Sequence, residues 1–486
     1  MKQYIAIDLG AESGRVIAGR LGEQLELQEI YRFANGPVNV LGGLHWDALH
    51  LFDEILRGLR KVAAEHGTGF AGLGVDTWGV DYALLDRDGA LIGNPYCYRD
   101  SRTEGMMEAV AQRVPRQSVF ERTGGIQFLT FNTLYQLYAM VQQASPQLDI
   151  AETFLMMPDL FNYWLTGEKV GEFTNATTTQ FYNSLSHDWA RDLLAELDIP
   201  THILPDVVLP GTQIGVLQPQ LDVGLGHLPV MTVASHDTAS AAAAVPAAGD
   251  DVAWISSGTW SLVGAIAERP IVTPEALEYN ISSYGGAGGA CLPWTNVMGL
   301  WLVQECRRMW ARQGEDLSYE RLTGMAMAAQ AFVAAVDPDD AAFLAPANMP
   351  QAIRNYCRDS GQPVPQTEGE IVRVALESLA LKYRWVMEKL GLLLDRQFSA
   401  VHVVGGGSQN ALLCQFTADA TGLPVIAGPV EATAIGNIAV QAMGSGQLST
   451  LDDVRQLVRR SFEMKIVEPG ERTPWDEAYE GFLRLM

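Results

Sequence analysis

Two aspartates and two small-residue turns carry the first chemical signal in this chain. Asp8 is next to last in the apolar, β-branched run QYIAIDL, and Gly10 with the bend Ala11-Glu12-Ser13-Gly14-Arg15 leads into a second strand pattern, which predicts a hairpin with a glycine-containing tip. The N–H groups of such a tip can converge on an anion, Ser13 and Arg15 can reach phosphate oxygens, and the carboxylate can hold magnesium directly or through water. An ordinary hairpin with an exposed aspartate is spelled the same way. Ser256 to Thr259 forms a similar tip inside VAWISSGTWSLVGAI, residues 252–266. Gly405-Gly406-Gly407 follows the apolar run VHVV and precedes a helical pattern, where backbone can approach a flat ligand or glycine can simply ease the turn.

Asp237 follows PVMTVA, a buried-strand pattern, and Ser235-His236, and it precedes an alanine-rich helical run to Ala244. A carboxylate at such a junction can take the proton of an attacking hydroxyl; it can equally cap the helix. His236 beside it can bind a ligand or pack at the strand end. Trp78, Arg99, Asp100, Arg102, Gln127 and Asn132 could line a polar cleft with one aromatic wall, while Arg99, Asp100 and Arg102 also read as a surface ion-pair cluster. Trp301, Cys306, Met309 and Trp310 fall partly at helical spacing and read as core.

The elements that must position these residues alternate along the chain. Leu51, Ile55, Leu59 and Val62 share one face of a helix after Asp47, a good N-cap. Strand patterns follow at 71–78 and in DYALLD, with a turn at Asp86 to Gly89; residues 100–200 read as mainly helix and loop. Ile371, Ala375, Leu379, Tyr383, Val386 and Leu390 mark a helix over 371–390, and a strand at 401–404 feeds the three glycines. DLGAESGRV and ISSGTWSLV, each strand, small polar turn and strand, are the one internal echo. The proline- and glycine-containing stretch 245–250 marks the boundary between two lobes, 1–246 and 247–486, each of α/β type.

Composition narrows the function classes. With 486 residues, 48% hydrophobic and 19% charged, the chain has ample material for two cores, and its net charge of −24 repels nucleic acid and anionic membranes. That field also opposes a nucleotide, so such a site needs local compensation from backbone N–H groups, an arginine or a divalent cation. No GxxxxGK[ST] loop is present, and no glycine fingerprint follows a strand to open a helix in the Rossmann manner. Five scattered cysteines without metal-ligand spacing, the lack of a signal-like opening and the lack of an 18-residue apolar run predict a reduced, cytoplasmic protein outside the membrane.

Order adds what single motifs lack. Hairpin tip, His-Asp junction, second tip, strand-GGG-helix and VEATAIGNIAVQAM at 430–443 come in the sequence of the actin-like sugar kinases, and the chain resembles their FGGY carbohydrate kinase family over nearly its whole length. The runs GVDTWGVDYALLD, YRDSRT, GIQFLTFNTLYQL, FTNATTTQ, ASHDTASA, NVMGLWLVQE, VVGGGSQN and AGPVEATAIGN carry the resemblance further, toward members acting on L-rhamnulose. It implies an actin-like ATPase, ribonuclease H-like α/β fold with a catalytic cleft between lobes, ATP and Mg2+ as cofactors, a ketose substrate, and a monomer or homodimer. By position it implies Asp237 as proton acceptor, with Trp78, Gly79, His236, Thr238 and Asn296 near the sugar. Thr259, Gln304 and Gly407 would contact ATP, Ala11 to Arg15 would cover its phosphates, and Asp8 would hold magnesium. Glu12 stands where the family pattern has a small residue. A kinase for fuculose, xylulose or another ketose and a catalytically silent sugar- or nucleotide-binding regulator are the competing expectations.

Overall fold

Contacts in the computed structural model, which describes all 486 residues, divide the chain into two units. The first comprises Met1–Pro246, Ile266–Pro293 and Ala432–Ser461; the second comprises Ala247–Ala265, Trp294–Glu431 and Phe462–Met486. The chain first changes unit after Pro246, and two later segments return to the first unit.

The sheet of the first unit grows from its N-terminal hairpin. Strands β1 (Lys2–Leu9), β2 (Ser13–Leu21) and β3 (Leu25–Ala34) pair antiparallel, and β4 (Phe70–Thr77) joins the open side of β1 in parallel. β5 (Gln213–Val216) and β6 (Pro229–Met231) complete the order β5-β6-β4-β1-β2-β3, with β6 parallel to β4 and antiparallel to β5. Near-continuous apolar runs such as YIAI in β1 suit strands covered on both faces. The helix Ala48–His66 buries Leu51, Ile55, Leu59 and Val62 in that core, and the Asp47 carboxylate accepts the His50 N–H at 3.1 Å. The string GTGFAG at 67–72 runs from the end of this helix into the first residues of β4, a helix-to-strand passage, so it cannot form a strand-to-helix nucleotide turn.

The strand within PVMTVA ends at Met231, and the alanine run forms the helix Asp237–Ala243. Small side chains let this helix lie close against the helix Ala432–Gly444. At Gly436 a β-carbon would overlap the Ser240 carbonyl, so the approach requires glycine there.

The second unit repeats this scheme with unrelated side chains. Six strands of its seven-stranded sheet, β7 (Val252–Ser257), β8 (Trp260–Gly264), β9 (Cys291–Met298), β10 (Ala400–Val404), β11 (Val425–Ala427) and β12 (Lys465–Val467), run in the order β9-β8-β7-β10-β11-β12. From β9 the pairings run antiparallel, antiparallel, parallel, parallel, antiparallel, as they do from β3 in the first unit. The tip after Asp8 and the tip after Ser257 therefore occupy equivalent places in two sheets. The helix Glu368–Leu394 opens with a Thr367–Glu370 capping box and buries Ile371, Ala375, Leu379, Tyr383, Val386 and Leu390. No helix is long and apolar enough to cross a membrane.

Candidate active site

Three aspartates lie at the carboxyl ends of neighbouring parallel strands in the first unit, the edge at which open α/β sheets place their ligands. Asp8 is opposite Asp76 in the β1–β4 ladder and opposite Arg15 across the hairpin, so one row holds carboxyl, carboxyl and guanidinium. Arg15 Nη2 donates to Asp8 Oδ2. Asp76 is fully buried; its Oδ2 accepts the Asn437 Nδ2 at 2.5 Å, and its Oδ1 has no partner. Burial first, then the charge of Asp8, push the Asp76 carboxyl well above its ordinary range.

Asp237 follows the end of β6, where the strand β4 and the His236 segment meet in a parallel bridge between Thr77 and His236. Its side chain is 32% exposed, and its Oδ1 accepts the Thr238 N–H at 2.5 Å and the Thr238 hydroxyl at 3.1 Å. The N-cap position belongs to His236, which makes no side-chain cap bond, while Asp237, the first helical residue, satisfies the Thr238 N–H of the first turn. Burial and then the neighbouring Asp8 charge push the Asp237 carboxyl up to about 7. His236 Nε2 is 3.5 Å from Asp237 Oδ1, and burial lowers the imidazole to about 3. The pair is thus a neutral imidazole beside a carboxyl poised to exchange a proton near neutrality.

Buried Glu172 fixes this junction. Its carboxylate accepts the Ser235 N–H at 3.1 Å, the Ser235 hydroxyl at 2.5 Å, the Thr174 N–H at 2.9 Å, the Thr174 hydroxyl at 2.6 Å and the Asn175 N–H at 3.1 Å. Thr174 Oγ1 in turn accepts the His236 N–H at 3.1 Å. The residues before Asp237 are therefore held both by these side chains and by backbone pairing with Thr77.

Trp46 and Trp78 are buried in the core of the same unit, tied to one carboxylate. Asp81 Oδ2 accepts the Trp46 indole N–H at 2.6 Å, the Trp78 indole N–H at 3.0 Å and the Tyr98 N–H at 3.1 Å, while Oδ1 accepts from Gln136 at 2.9 Å. Burial outweighs these four bonds and raises the Asp81 carboxyl to about 6. The Trp46 and Trp78 rings lie 4.3 Å apart. Buried Asp100 accepts the Leu44 N–H at 2.7 Å and the Arg102 N–H at 2.9 Å, and Arg102 donates to Gln136 Oε1 at 2.7 Å. Gln127 and Asn132 are buried together, Asn132 Nδ2 donating to the Gln127 carbonyl at 2.7 Å.

In the second unit the tip between β7 and β8 is tied to the helix Trp301–Arg312. The Thr259 carbonyl accepts the Gly299 and Trp301 N–H groups, each at 3.1 Å, and the Gly258 carbonyl accepts the Leu300 N–H at 3.1 Å. Gln304, whose Oε1 is buried without a partner, is therefore on the first turn of a helix that starts at the Thr259 tip. Gly405 to Gly407 follows β10 and packs on the same tip; a β-carbon at Gly407 would overlap the Ser257 side chain. Asn296, on β9, pairs with Leu262 of β8.

Comparison with known proteins places this geometry. The N-terminal domain of the FGGY family of carbohydrate kinases matches residues 3–244, and its C-terminal domain matches residues 253–445. The chain belongs to the FGGY family of carbohydrate kinases. FGGY relatives include a rhamnulokinase of Bacteroides thetaiotaomicron, 44% identical across 99% of each chain, and one of Pectobacterium atrosepticum, 43% identical across 100% of this chain and 97% of that one. Among solved FGGY-type structures, the xylulose kinase of Lactobacillus acidophilus aligns with a TM-score of 0.83 at 16% identity, covering 100% of this chain and 98% of that one. The Plasmodium falciparum glycerol kinase with ADP aligns at 0.79 and 14%, with 100% and 98% covered. At such identities these structures establish the actin-like ATPase fold.

On this FGGY framework, Asp8, Ala11 to Arg15, Trp78, Gly79, His236, Asp237 and Thr238 are gathered by the first unit, and Thr259, Asn296, Gln304 and Gly407 belong to the second. Glu12 is exposed at its tip, and its carbonyl accepts the Asn35 N–H at 3.0 Å. Sequence reasoning passed over Asp76, Glu172 and Asn437. The signal for Asp76 was available, a carboxylate in the otherwise apolar strand run GLGVDTW; that for Asn437 was an amide on the apolar face of AIGNIAVQAM.

Proposed function

We propose that this FGGY kinase transfers the γ-phosphoryl group of ATP to the 1-hydroxyl of L-rhamnulose, giving L-rhamnulose 1-phosphate and ADP. For the chemistry, the supporting observation is Asp237, a carboxyl raised to about 7 beside a neutral His236 at the strand-end edge of the sheet. For the sugar, support comes from rhamnulokinases of 39–44% identity aligned over nearly the full chain. The 1-hydroxyl oxygen attacks the γ-phosphorus, its proton passes to an Asp237 carboxylate oxygen, and the bond to the β-bridging oxygen breaks to release ADP. Trp78, Gly79, His236, Thr238 and Asn296 bind the sugar in this reading, while Thr259, Gln304 and Gly407 bind ATP.

Magnesium fits the first unit as a partly hydrated ion. No three His, Cys, Asp or Glu side chains form a ready-made cage. Mg2+ commonly uses one or two carboxylates, keeps several waters and takes its other ligands from phosphates, so Asp8 suffices to hold it. When bound, it neutralises charge on the phosphoryl oxygens. Arg15, now donating to Asp8, and the tip Ala11 to Gly14 present further donors to phosphate. Free, buried cysteines and the need for ATP agree with a cytoplasmic setting.

A panel of L-rhamnulose, L-fuculose, D-xylulose and glycerol assayed for ADP release tests the sugar. The expected result is kcat/KM highest for L-rhamnulose by at least about tenfold, the scale of one or two lost hydrogen bonds. A higher value for another ketose reassigns the substrate, and sugar binding without ADP release at saturating Mg-ATP indicates a silent regulator.

A further inference from the structure

A valine occupies a backbone conformation that valine avoids, beside the residue assigned to the sugar. Val80 has φ of +66°, and the Asp81 N–H donates to the Gly79 carbonyl at 2.9 Å, closing a three-residue turn around Val80. Positive φ crowds a β-branched side chain against its own carbonyl, and this form of the γ-turn is rare and strained. Such strain persists only where the surroundings over-determine it.

Both peptide groups of Val80 are gripped by buried side chains. Its N–H donates to Thr178 Oγ1 at 3.0 Å, and its carbonyl accepts the Thr133 hydroxyl at 2.6 Å and the Gln136 Nε2 at 3.3 Å. Thr178, 2% exposed, passes its own hydroxyl proton to the Asn175 carbonyl at 2.7 Å. Asn175 Nδ2 reaches the Ser235 carbonyl at 3.3 Å, which also accepts the Thr77 N–H at 2.9 Å. The chain of bonds therefore runs from the turn at Gly79 to the junction that carries Asp237, wholly within the first unit. On the other side, Asp81 pins the Trp78 indole.

We propose that Val80 and Thr178 are positioning residues of the sugar site: the Thr178 hydroxyl holds Val80 in a strained turn that fixes the Gly79 backbone and Trp78 in register with the Asp237 junction. This rests on the reading that Gly79 and Trp78 face the sugar. Valine at this place admits a single narrow backbone well, whereas glycine would let Gly79 and its neighbour swing together.

The test uses the full-length enzyme and four variants, with KM measured separately for L-rhamnulose and ATP and with thermal melting. Thr178→Val, which keeps shape and removes the hydroxyl, raises the sugar KM about tenfold and leaves the ATP KM within twofold; Thr178→Ser restores the wild-type value. Val80→Gly melts higher than Val80→Ala, reversing the usual order because only glycine relaxes at positive φ, yet has the higher sugar KM. A Thr178→Val enzyme with an unchanged sugar KM, equal losses in both substrates' KM, or a Val80→Ala enzyme that melts above Val80→Gly overturns the proposal. His236→Ala separates the two layers: if it leaves the sugar KM unchanged, the placement of the sugar fails, and if it raises that KM while Thr178→Val does not, only the positioning role fails.

Discussion

The proposed base, Asp237, sits where its surroundings oppose its charge. Burial and the Asp8 carboxylate bring it to about 7, close to the pH at which a general base combines sufficient ionisation with sufficient basicity. The proposed base works ionised, so kcat/KM for the sugar, which reports groups of the free enzyme, should rise with pH through about 7 and level off above it; a profile flat from pH 5 to 9 contradicts the assignment. Stability moves the opposite way. A carboxyl raised above its unfolded value favours the folded state at acid pH, and that advantage is lost as pH rises from the unfolded value near 4 through about 7. At this scale the sequence located Asp237 at a strand-to-helix junction but could not separate base from cap, since both roles use the same residue at the same boundary. Its basicity depends on Asp8, which lies 229 residues earlier in the chain.

Among the elements, the local ones were readable. The Ala48–His66 and Glu368–Leu394 helices follow from their apolar spacing and caps, and the two tips follow from their small residues. Pairings between distant segments were not, because strand order is settled by contacts that no short window contains. The helix Ala432–Gly444 is the clearest case: its sequence announces a buried helix, while its return to the first unit depends on Asn437 meeting Asp76 and on Gly436 meeting Ser240. A methyl group at 436 forces that pair of helices apart, so Gly436→Ala should destabilise the protein by roughly 1–3 kcal/mol in chemical denaturation, the usual scale of overpacking. It should also lower kcat, because the displaced helix begins with Asp237; a variant as stable as wild type would show that the close approach is not required.

As a whole the molecule reconciles an anionic surface with an anionic co-substrate. A net charge of −24 opposes ATP at long range, and in the proposed reading that field is answered locally by backbone N–H groups at the two equivalent tips, by Arg15 and by a divalent cation. The duplicated sheet order explains why the sequence shows two similar tips nearly 250 residues apart, an echo too short to be recognised as a repeat without the pairing pattern. The decisive measurement is phosphoryl transfer by Asp237→Asn against wild type, with L-rhamnulose and Mg-ATP at pH 8, product followed by phosphorus NMR and sugar affinity by calorimetry. A kcat lowered about 10²–10⁴-fold, with sugar affinity and folding kept, is the predicted result. Near-normal production of sugar phosphate by that variant would contradict it.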